Sequence, residues 1–233
     1  MTGLSDSFQR PINYLRISVT DRCNLRCIYC MPPEGIVQMS HYDILSYEEI
    51  FTLVKAAAEL GINRVRLTGG EPLVRAGLSE LVRMIASIDT IDDLSLTTNG
   101  ILLAKYAADL KDAGLMRVNV SLDTLKPERF RQITRCGELA DTLKGIEAAN
   151  EVDLTPVKIN MVVMAGINDD ELPDFARKTI EDGWNMLLDL SAPGAIERLR
   201  RFHPKRPRRN VFGDGHAAEK IVKIFDNEEK QLR

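Results

Sequence analysis

Strand-like and helix-like segments alternate along the first 190 residues, and this alternation is the strongest constraint on the fold. Apolar residues recur at every second position in the strand-like segments and at every third or fourth position in the helix-like ones. The strand-like segments are residues 14–20, 64–68, 94–98, 117–122 and 157–164, with a short apolar run at 186–190. The helix-like segments are residues 50–60, 78–87, 103–113, 128–134, 139–150 and 170–182. The pattern therefore predicts six strand–helix units.

Strands that alternate with helices form a parallel sheet, and their right-handed connections curl it into a barrel or part of one. We predict an α/β fold, a partial parallel (β/α)6 barrel over residues 1–190. The loops that follow the strands should gather on one rim. These loops are the segment rich in cysteine after residue 20, residues 69–72, residues 98–100 and residues 121–124.

The C-terminal segment of the chain differs from the rest in charge. The formal net charge is −3, but residues 195–233 carry +5 and the remainder −8. Seven Lys or Arg lie between Arg198 and Arg209 with no acid among them. We interpret residues 191–233 as a divergent basic tail that adds little core. Such a run is typical of a solvated tail, and contact with nucleic acid or an acidic partner is the alternative.

Composition indicates the compartment. The chain has no run of 18 apolar residues, and its N-terminus lacks the basic-then-apolar order of a signal peptide. We therefore expect a cytoplasmic protein with no membrane partner.

Three of the four cysteines lie within eight residues, at Cys23, Cys27 and Cys30. Disulfides between such close neighbours would be strained, so in a reducing compartment the cluster indicates metal ligands. Three thiolates can hold a [4Fe-4S] cluster and leave one iron open to a small molecule. A zinc site completed by Cys136 or His41 is the alternative.

The C-x3-C-x2-C motif, with Tyr29 just before its last cysteine, resembles the radical S-adenosylmethionine (radical SAM) superfamily. Gly69-Gly70-Glu71-Pro72, directly after a strand, resembles that family's turn that receives the methionyl amine of the cofactor. Ser121 at the end of its strand resembles a family position that holds the same cofactor. The resemblance implies a [4Fe-4S] cluster on the three cysteines, and S-adenosyl-L-methionine bound by Tyr29, Gly70 and Ser121. It also implies a 5'-deoxyadenosyl radical that abstracts hydrogen.

The resemblance extends further, to the GTP 3',8-cyclase family of molybdenum cofactor biosynthesis, across about residues 11 to 186. It is carried by LRISVTDRCNLRCIYCMPPEG, RVRLTGGEPLVR, SLTTNGILL, RVNVSLDTL and KINMVVMAGIND. It implies a lyase that converts GTP into 3',8-cyclo-7,8-dihydro-GTP. It implies contacts to GTP from Arg16, Arg66, Thr97 and Lys158.

The charged residues agree with an anionic substrate. Arg16, Arg66 and Lys158 lie on three predicted strands, where an inward-pointing cation has no structural reason to be. Buried cations need anionic partners, and a triphosphate supplies them. The alternative is that each cation reaches a carboxylate such as Glu71 or Asp123.

The chain departs from this family after about Met186. The family holds a second cluster with three C-terminal cysteines, whereas this chain has no cysteine beyond Cys136. A catalytically incomplete relative that binds the cofactor or an acidic partner is therefore the alternative function. As partners we consider GTP, a reducing electron donor and a second copy in a homodimer, and we do not expect nucleic acid.

Overall fold

A computed structural model describes residues 4–175. Five parallel strands form one sheet in the order β1-β2-β3-β4-β5. Their bounds are β1 Tyr14–Ser18, β2 Arg64–Thr68, β3 Asp93–Thr98, β4 Arg117–Ser121 and β5 Lys158–Asn160. The strand order follows the chain and does not reverse, whereas a doubly wound sheet reverses at a switch point. The sheet therefore has the order of a barrel wall.

Helices fill the connections between the strands. They are α1 Tyr47–Glu59, α2 Leu78–Ala86, α3 Leu103–Asp112, α4 Pro127–Thr134 and α5 Leu139–Glu151. Helix α1 begins with a capping box: the Ser46 side chain accepts from the Glu49 main-chain N–H at 3.2 Å, and the Ser46 N–H donates to Glu49 Oε2 at 2.7 Å. These two bonds satisfy amide groups that the first turn leaves without partners.

One face of the sheet packs against the helices and forms the core. Its fully buried side chains come from alternate positions of β2, β3 and β4: Val65, Leu67, Leu94, Leu96, Val118 and Val120. Helix α2 contributes Leu81, Val82 and Ile85, which are also fully buried. Each such side chain contributes about 1.5–3 kcal/mol through its removal from water.

The opposite face of the sheet is polar. Because side chains alternate across a strand, the residues between the core positions share this second face. In register across the strands they form the row Arg16, Arg66, Ser95 and Arg117, and the row Thr97, Asn119 and Lys158. We call this surface the polar face.

The predicted parallel α/β fold is confirmed, with two differences in detail. Strand β5 spans three residues rather than the predicted eight, because beyond Asn160 the Val162 N–H donates to the Asp123 side chain instead of a neighbouring strand. The predicted helix over 170–182 begins with the 3-10 turn Asp169–Glu171 and helical residues 172–175. Its remainder, the run at 186–190 and the basic tail lie outside the described residues.

The described residues up to Val162 form one compact unit, and a second unit begins at Val163. The first unit holds all five strands. In the described part of the second, Met164 N–H donates to Asn168 Oδ1 and Gly166 N–H to Asp169 Oδ1, closing a turn. No helix within residues 4–175 is both long and apolar enough to cross a bilayer.

Candidate functional site

The loops at the carboxyl edge of the sheet contact one another, as the parallel arrangement predicts. The Gly70 N–H donates to the Thr20 carbonyl at 2.7 Å, and the Glu71 N–H donates to the Arg22 carbonyl at 2.8 Å. The turn after β2 therefore lies directly against the loop after β1.

That first loop, residues 20–31, carries the three clustered cysteines, and we call it the cysteine loop. All three are free thiols; Cys23 and Cys27 are half-buried and Cys30 is exposed. The Cys30 and Met31 N–H groups both donate to the Cys27 carbonyl, at 2.9 and 3.2 Å, which coils the end of the loop.

The cysteine loop is anchored on the segment that ends α4. Arg26 and Ile28 N–H groups donate to the carbonyls of Thr134 and Ile133, each at 2.9 Å. The Arg135 guanidinium donates to the carbonyls of Arg26 and Met31 at 3.0 and 2.8 Å. Sequence reasoning missed Arg135, because a basic residue after a helix carries no signal for a distant loop.

The thiols lie in surroundings that disfavour thiolates in the absence of a cation. Burial raises the pKa of the Cys23 thiol. Burial, followed by the nearby Asp123 carboxylate, raises the pKa of Cys27 to about 11. Iron would offset this cost, because metal ligation deprotonates a thiol outright.

The donor set fits a [4Fe-4S] cluster with one open iron. Three thiols on one short loop would supply three of the four iron ligands. Within residues 4–175, no three His, Cys, Asp or Glu side chains converge on a single metal ion. Cys136, the fourth thiol, lies beside the loop and donates to the carbonyls of Asn24 and Thr134 at 3.4 and 3.6 Å.

The two glycines after β2 are required by the cysteine loop. A Cβ on Gly69 would lie 2.4 Å from the Thr20 carbonyl oxygen, and one on Gly70 would lie 2.3 Å from that of Arg22. Gly69 also has φ +150°, which L side chains rarely adopt. The sequence suggested close approach to a ligand as their reason, whereas the structure adds close approach between two loops.

Glu71 ties these loops to the turn after β3. Its side chain is 1% exposed and accepts from Leu73 N–H, Thr98 Oγ1 and Asn99 N–H at 3.0, 2.8 and 2.7 Å. Burial raises the pKa of Glu71, although these hydrogen bonds oppose the shift. Asn99 in turn donates through Nδ2 to Asn24 Oδ1 in the cysteine loop at 2.7 Å. The Glu71 carboxylate thus has three hydrogen-bond donors and forms no ion pair within residues 4–175.

Tyr29 and Ser121, two of the predicted cofactor contacts, lie at the same edge. The Tyr29 hydroxyl donates to Asp123 Oδ2 at 2.7 Å. Burial and then this bond raise the pKa of Tyr29 well above its ordinary range. Ser121 is half-buried at the last position of β4. From the sequence alone, Asp123 suggests only a partner for cations.

The four predicted substrate residues all lie on the polar face, but they are less buried than expected. Arg16 is exposed, whereas Arg66, Thr97 and Lys158 are half-buried. The expectation of fully buried cations was wrong: Ser95 and Asn119 on the same face are 1% and 2% exposed, whereas the longer charged side chains reach solvent. The Thr97 Oγ1 atom is buried and has no hydrogen-bond partner within residues 4–175.

Arginine charge accumulates on the polar face. Arg66 donates through Nε to Ser95 Oγ at 3.3 Å and lies 5.4 Å from the centre of the Tyr14 ring. Burial lowers the pKa of Arg66. Neither Arg16 nor Arg66 forms an ion pair with a carboxylate of the described chain.

One arginine of the same row is neutralised. Arg117 pairs with Asp93 through two hydrogen bonds, of 3.0 and 2.6 Å. The polar face therefore keeps net positive charge at Arg16 and Arg66, which suits an anionic ligand.

Comparison with known proteins gives a family match and close relatives. A profile of the radical SAM superfamily matches residues 17–179. The GTP 3',8-cyclase of Alkaliphilus metalliredigens is 55% identical over 179 residues, 77% of this chain and 56% of that protein. The enzyme of the same name from Heliobacterium modesticaldum is 57% identical over 176 residues, 76% of this chain and 54% of that protein. This chain thus spans about half the length of these relatives.

Solved structures share the fold at low sequence identity. HydG, a maturase of the [FeFe]-hydrogenase, superposes with a TM-score of 0.57 at 15% identity, over 72% of this chain and 39% of that one. SuiB of Streptococcus suis gives 0.55 at 20% identity, over 72% and 37%. At these identities the likeness concerns the fold alone.

Proposed function

The chain belongs to the radical SAM superfamily, and on that premise we propose that it is a radical S-adenosylmethionine enzyme of the GTP 3',8-cyclase type. In this proposal it acts on GTP in molybdenum cofactor biosynthesis and forms 3',8-cyclo-7,8-dihydro-GTP. The relatives that are 55–57% identical carry the name of that enzyme.

The observation that carries the proposal is that strand β1 contributes an arginine to the polar face and is followed directly by the loop with three thiols. Strand β1 presents Arg16 on the polar face and leads directly into the cysteine loop. A cofactor held at the loop and an anion held on the face would therefore meet at one side of one sheet.

Cys23, Cys27 and Cys30 would hold the [4Fe-4S] cluster and leave its fourth iron to the cofactor. When bound, the cluster and S-adenosylmethionine supply one electron and a carbon-centred radical that abstracts hydrogen from the substrate. The protein's part is to place the cofactor and exclude water. Gly70 would accept from the methionyl ammonium through its carbonyl, and Tyr29 and Ser121 would also contact S-adenosylmethionine.

Arg16, Arg66, Thr97 and Lys158 would bind GTP. Guanidinium groups bind phosphate oxygens with paired hydrogen bonds, and Arg16 and Arg66 have no carboxylate partner in the part of the chain that the structure describes. The buried Thr97 hydroxyl supplies a donor that the described residues leave unused.

A second candidate is a protein that binds and cleaves the cofactor without cyclising GTP. The sequence raises this candidate because the family resemblance implies three further C-terminal cysteines for a purine-binding cluster, and residues 137–233 contain none. In this case the cleavage half of the reaction would proceed alone.

Product analysis separates the two candidates. Anaerobically reconstituted protein would be incubated with dithionite, S-adenosylmethionine and GTP. A cyclase yields 5'-deoxyadenosine together with the cyclised nucleotide, whereas the second candidate yields 5'-deoxyadenosine alone. No 5'-deoxyadenosine from a chain that has assembled its cluster would contradict both.

Nucleotide selectivity tests the substrate assignment. GTP should protect the chain against thermal unfolding, whereas CTP and UTP should not. Equal protection by all three would indicate phosphate recognition only.

The reaction also requires an electron donor as a partner. We place the protein in the cytoplasm, which is reducing. That the chain forms a homodimer stays a prediction.

A further inference from the structure

We propose that Asp123 is a positioning residue for the cofactor: its carboxylate fixes the Tyr29 ring, and with it the end of the cysteine loop, on the carboxyl end of β4. The inference rests on the proposed function, because that function makes Tyr29 a contact to S-adenosylmethionine.

The bond from Tyr29 to Asp123 joins two distant parts of the chain. The Tyr29 hydroxyl donates to Asp123 Oδ2 at 2.7 Å across 94 residues of sequence. Tyr29 is 46% exposed and Asp123 is 7% exposed. A tyrosine ring that is almost half exposed is held weakly by packing, so the hydrogen bonds of its hydroxyl, to Asp123 Oδ2 and to the Cys27 side chain, determine where the ring points.

The second carboxylate oxygen fixes the orientation of Asp123 itself. The Val162 N–H, just after β5, donates to Asp123 Oδ1 at 2.8 Å. Both oxygens therefore accept from defined donors, one in the cysteine loop and one in the main chain. Asparagine has almost the same shape, but it would present an NH2 group to one of these two donors.

The location explains why this tie matters to a cofactor. Tyr29 lies between Cys27 and Cys30, and Ser121 precedes Asp123 by two residues at the end of β4. Fixing the Tyr29 ring before the cofactor arrives removes an entropic cost of binding. The tie therefore raises cofactor affinity without contacting the reacting atoms.

The first experiment measures how much the hydrogen bond between Tyr29 and Asp123 stabilises the chain without cluster or cofactor. Asp123→Asn, Tyr29→Phe and the double variant are unfolded in denaturant. If the Tyr29 hydroxyl and the Asp123 carboxylate bond to each other, the double variant has the same free energy of unfolding as the less stable single variant. The second substitution then has no remaining hydrogen bond between the two groups to remove. Additive losses would overturn the proposal.

The second experiment measures S-adenosylmethionine binding to the reconstituted protein by equilibrium dialysis. Tyr29→Phe keeps the ring and removes only the hydroxyl, and we expect it to weaken binding about tenfold, as would Asp123→Asn. The double variant should bind as weakly as either single one. The cofactor-induced shift in the electron paramagnetic resonance spectrum of the reduced cluster should diminish in parallel.

Tyr47→Phe is the matched control, because the Tyr47 hydroxyl donates to the Ala76 carbonyl at 2.9 Å, away from the cysteine loop. It should leave cofactor affinity unchanged. Affinity unchanged in Tyr29→Phe, despite a loss of stability, would overturn the positioning role and leave the proposed function standing. Failure of the unsubstituted, cluster-loaded chain to bind the cofactor would overturn both. Should Asp123→Asn not fold, Tyr29→Phe alone decides.

Discussion

The side chain of Glu71 accepts a hydrogen bond from the main-chain N–H of Asn99 at 2.7 Å, so the turn after β2 is joined to the turn after β3. The same carboxylate accepts from Leu73 and Thr98. A single buried side chain thus holds together the turns after β2 and β3, at the edge of the sheet on which the cysteine loop lies.

Glu71→Gln should lower the free energy of unfolding by about 1–3 kcal/mol, because an amide NH2 would face a buried donor. Denaturant unfolding of the cluster-free chain measures this loss. Glu138→Gln is the control, since that carboxylate is paired with Arg131 at an exposed position, and it should leave the midpoint unchanged. Equal midpoints for both variants would contradict the role of Glu71.

The contribution of Glu71 to stability should decline as pH rises. Burial raises the pKa of Glu71 in the folded chain, so above the unfolded value of about 4.5 the folded chain retains a proton that the unfolded chain has lost. Stability therefore falls with pH until the raised pKa is passed. The advantage of the natural chain over Glu71→Gln should shrink between pH 4.5 and neutrality, and an advantage that grows would contradict this sign.

Gly69→Ala should be more destabilising than Gly77→Ala. Both glycines have positive φ, +150° and +73°, but only the Cβ at Gly69 overlaps main chain, 2.4 Å from the Thr20 carbonyl oxygen. At Gly77 the nearest atom is 3.7 Å away. The additional loss in the free energy of unfolding should be about 1–3 kcal/mol, measured by denaturant unfolding. Similar losses in the two variants would show that the positive φ, and not the overlap with Thr20, determines the effect at Gly69.

Arg66→Ala should weaken GTP binding about tenfold, because it removes a charge-assisted contact on the polar face. The loss is measured as a smaller rise in melting temperature at fixed GTP. Arg83→Ala, at an exposed position of α2, is the control and should behave as the unsubstituted chain does. An undiminished GTP effect in Arg66→Ala would place the nucleotide elsewhere.

Periodicity predicted the strands well, because buried and exposed positions alternate with period two. In β2, Val65 and Leu67 face the helices and Arg66 faces away, so the cationic face followed directly from sequence. The predicted rim followed as well, since parallel strands end at one edge.

The ties between loops could not be predicted from sequence. Tyr29 meets Asp123 and Glu71 meets Asn99 across 94 and 28 residues, and such pairs depend on loop geometry that no local pattern encodes. Burial of Arg16 was predicted wrongly for a related reason: position on a strand determines which face a residue occupies, but not whether that face is covered.

The central claim, that the cysteine loop holds a [4Fe-4S] cluster, is tested most directly by anaerobic reconstitution with iron and sulfide. We predict about four irons per chain and a broad visible absorption that dithionite bleaches, both lost when Cys23, Cys27 and Cys30 are replaced by alanine but retained in Cys136→Ala. A colourless protein that binds one zinc ion instead would contradict the claim.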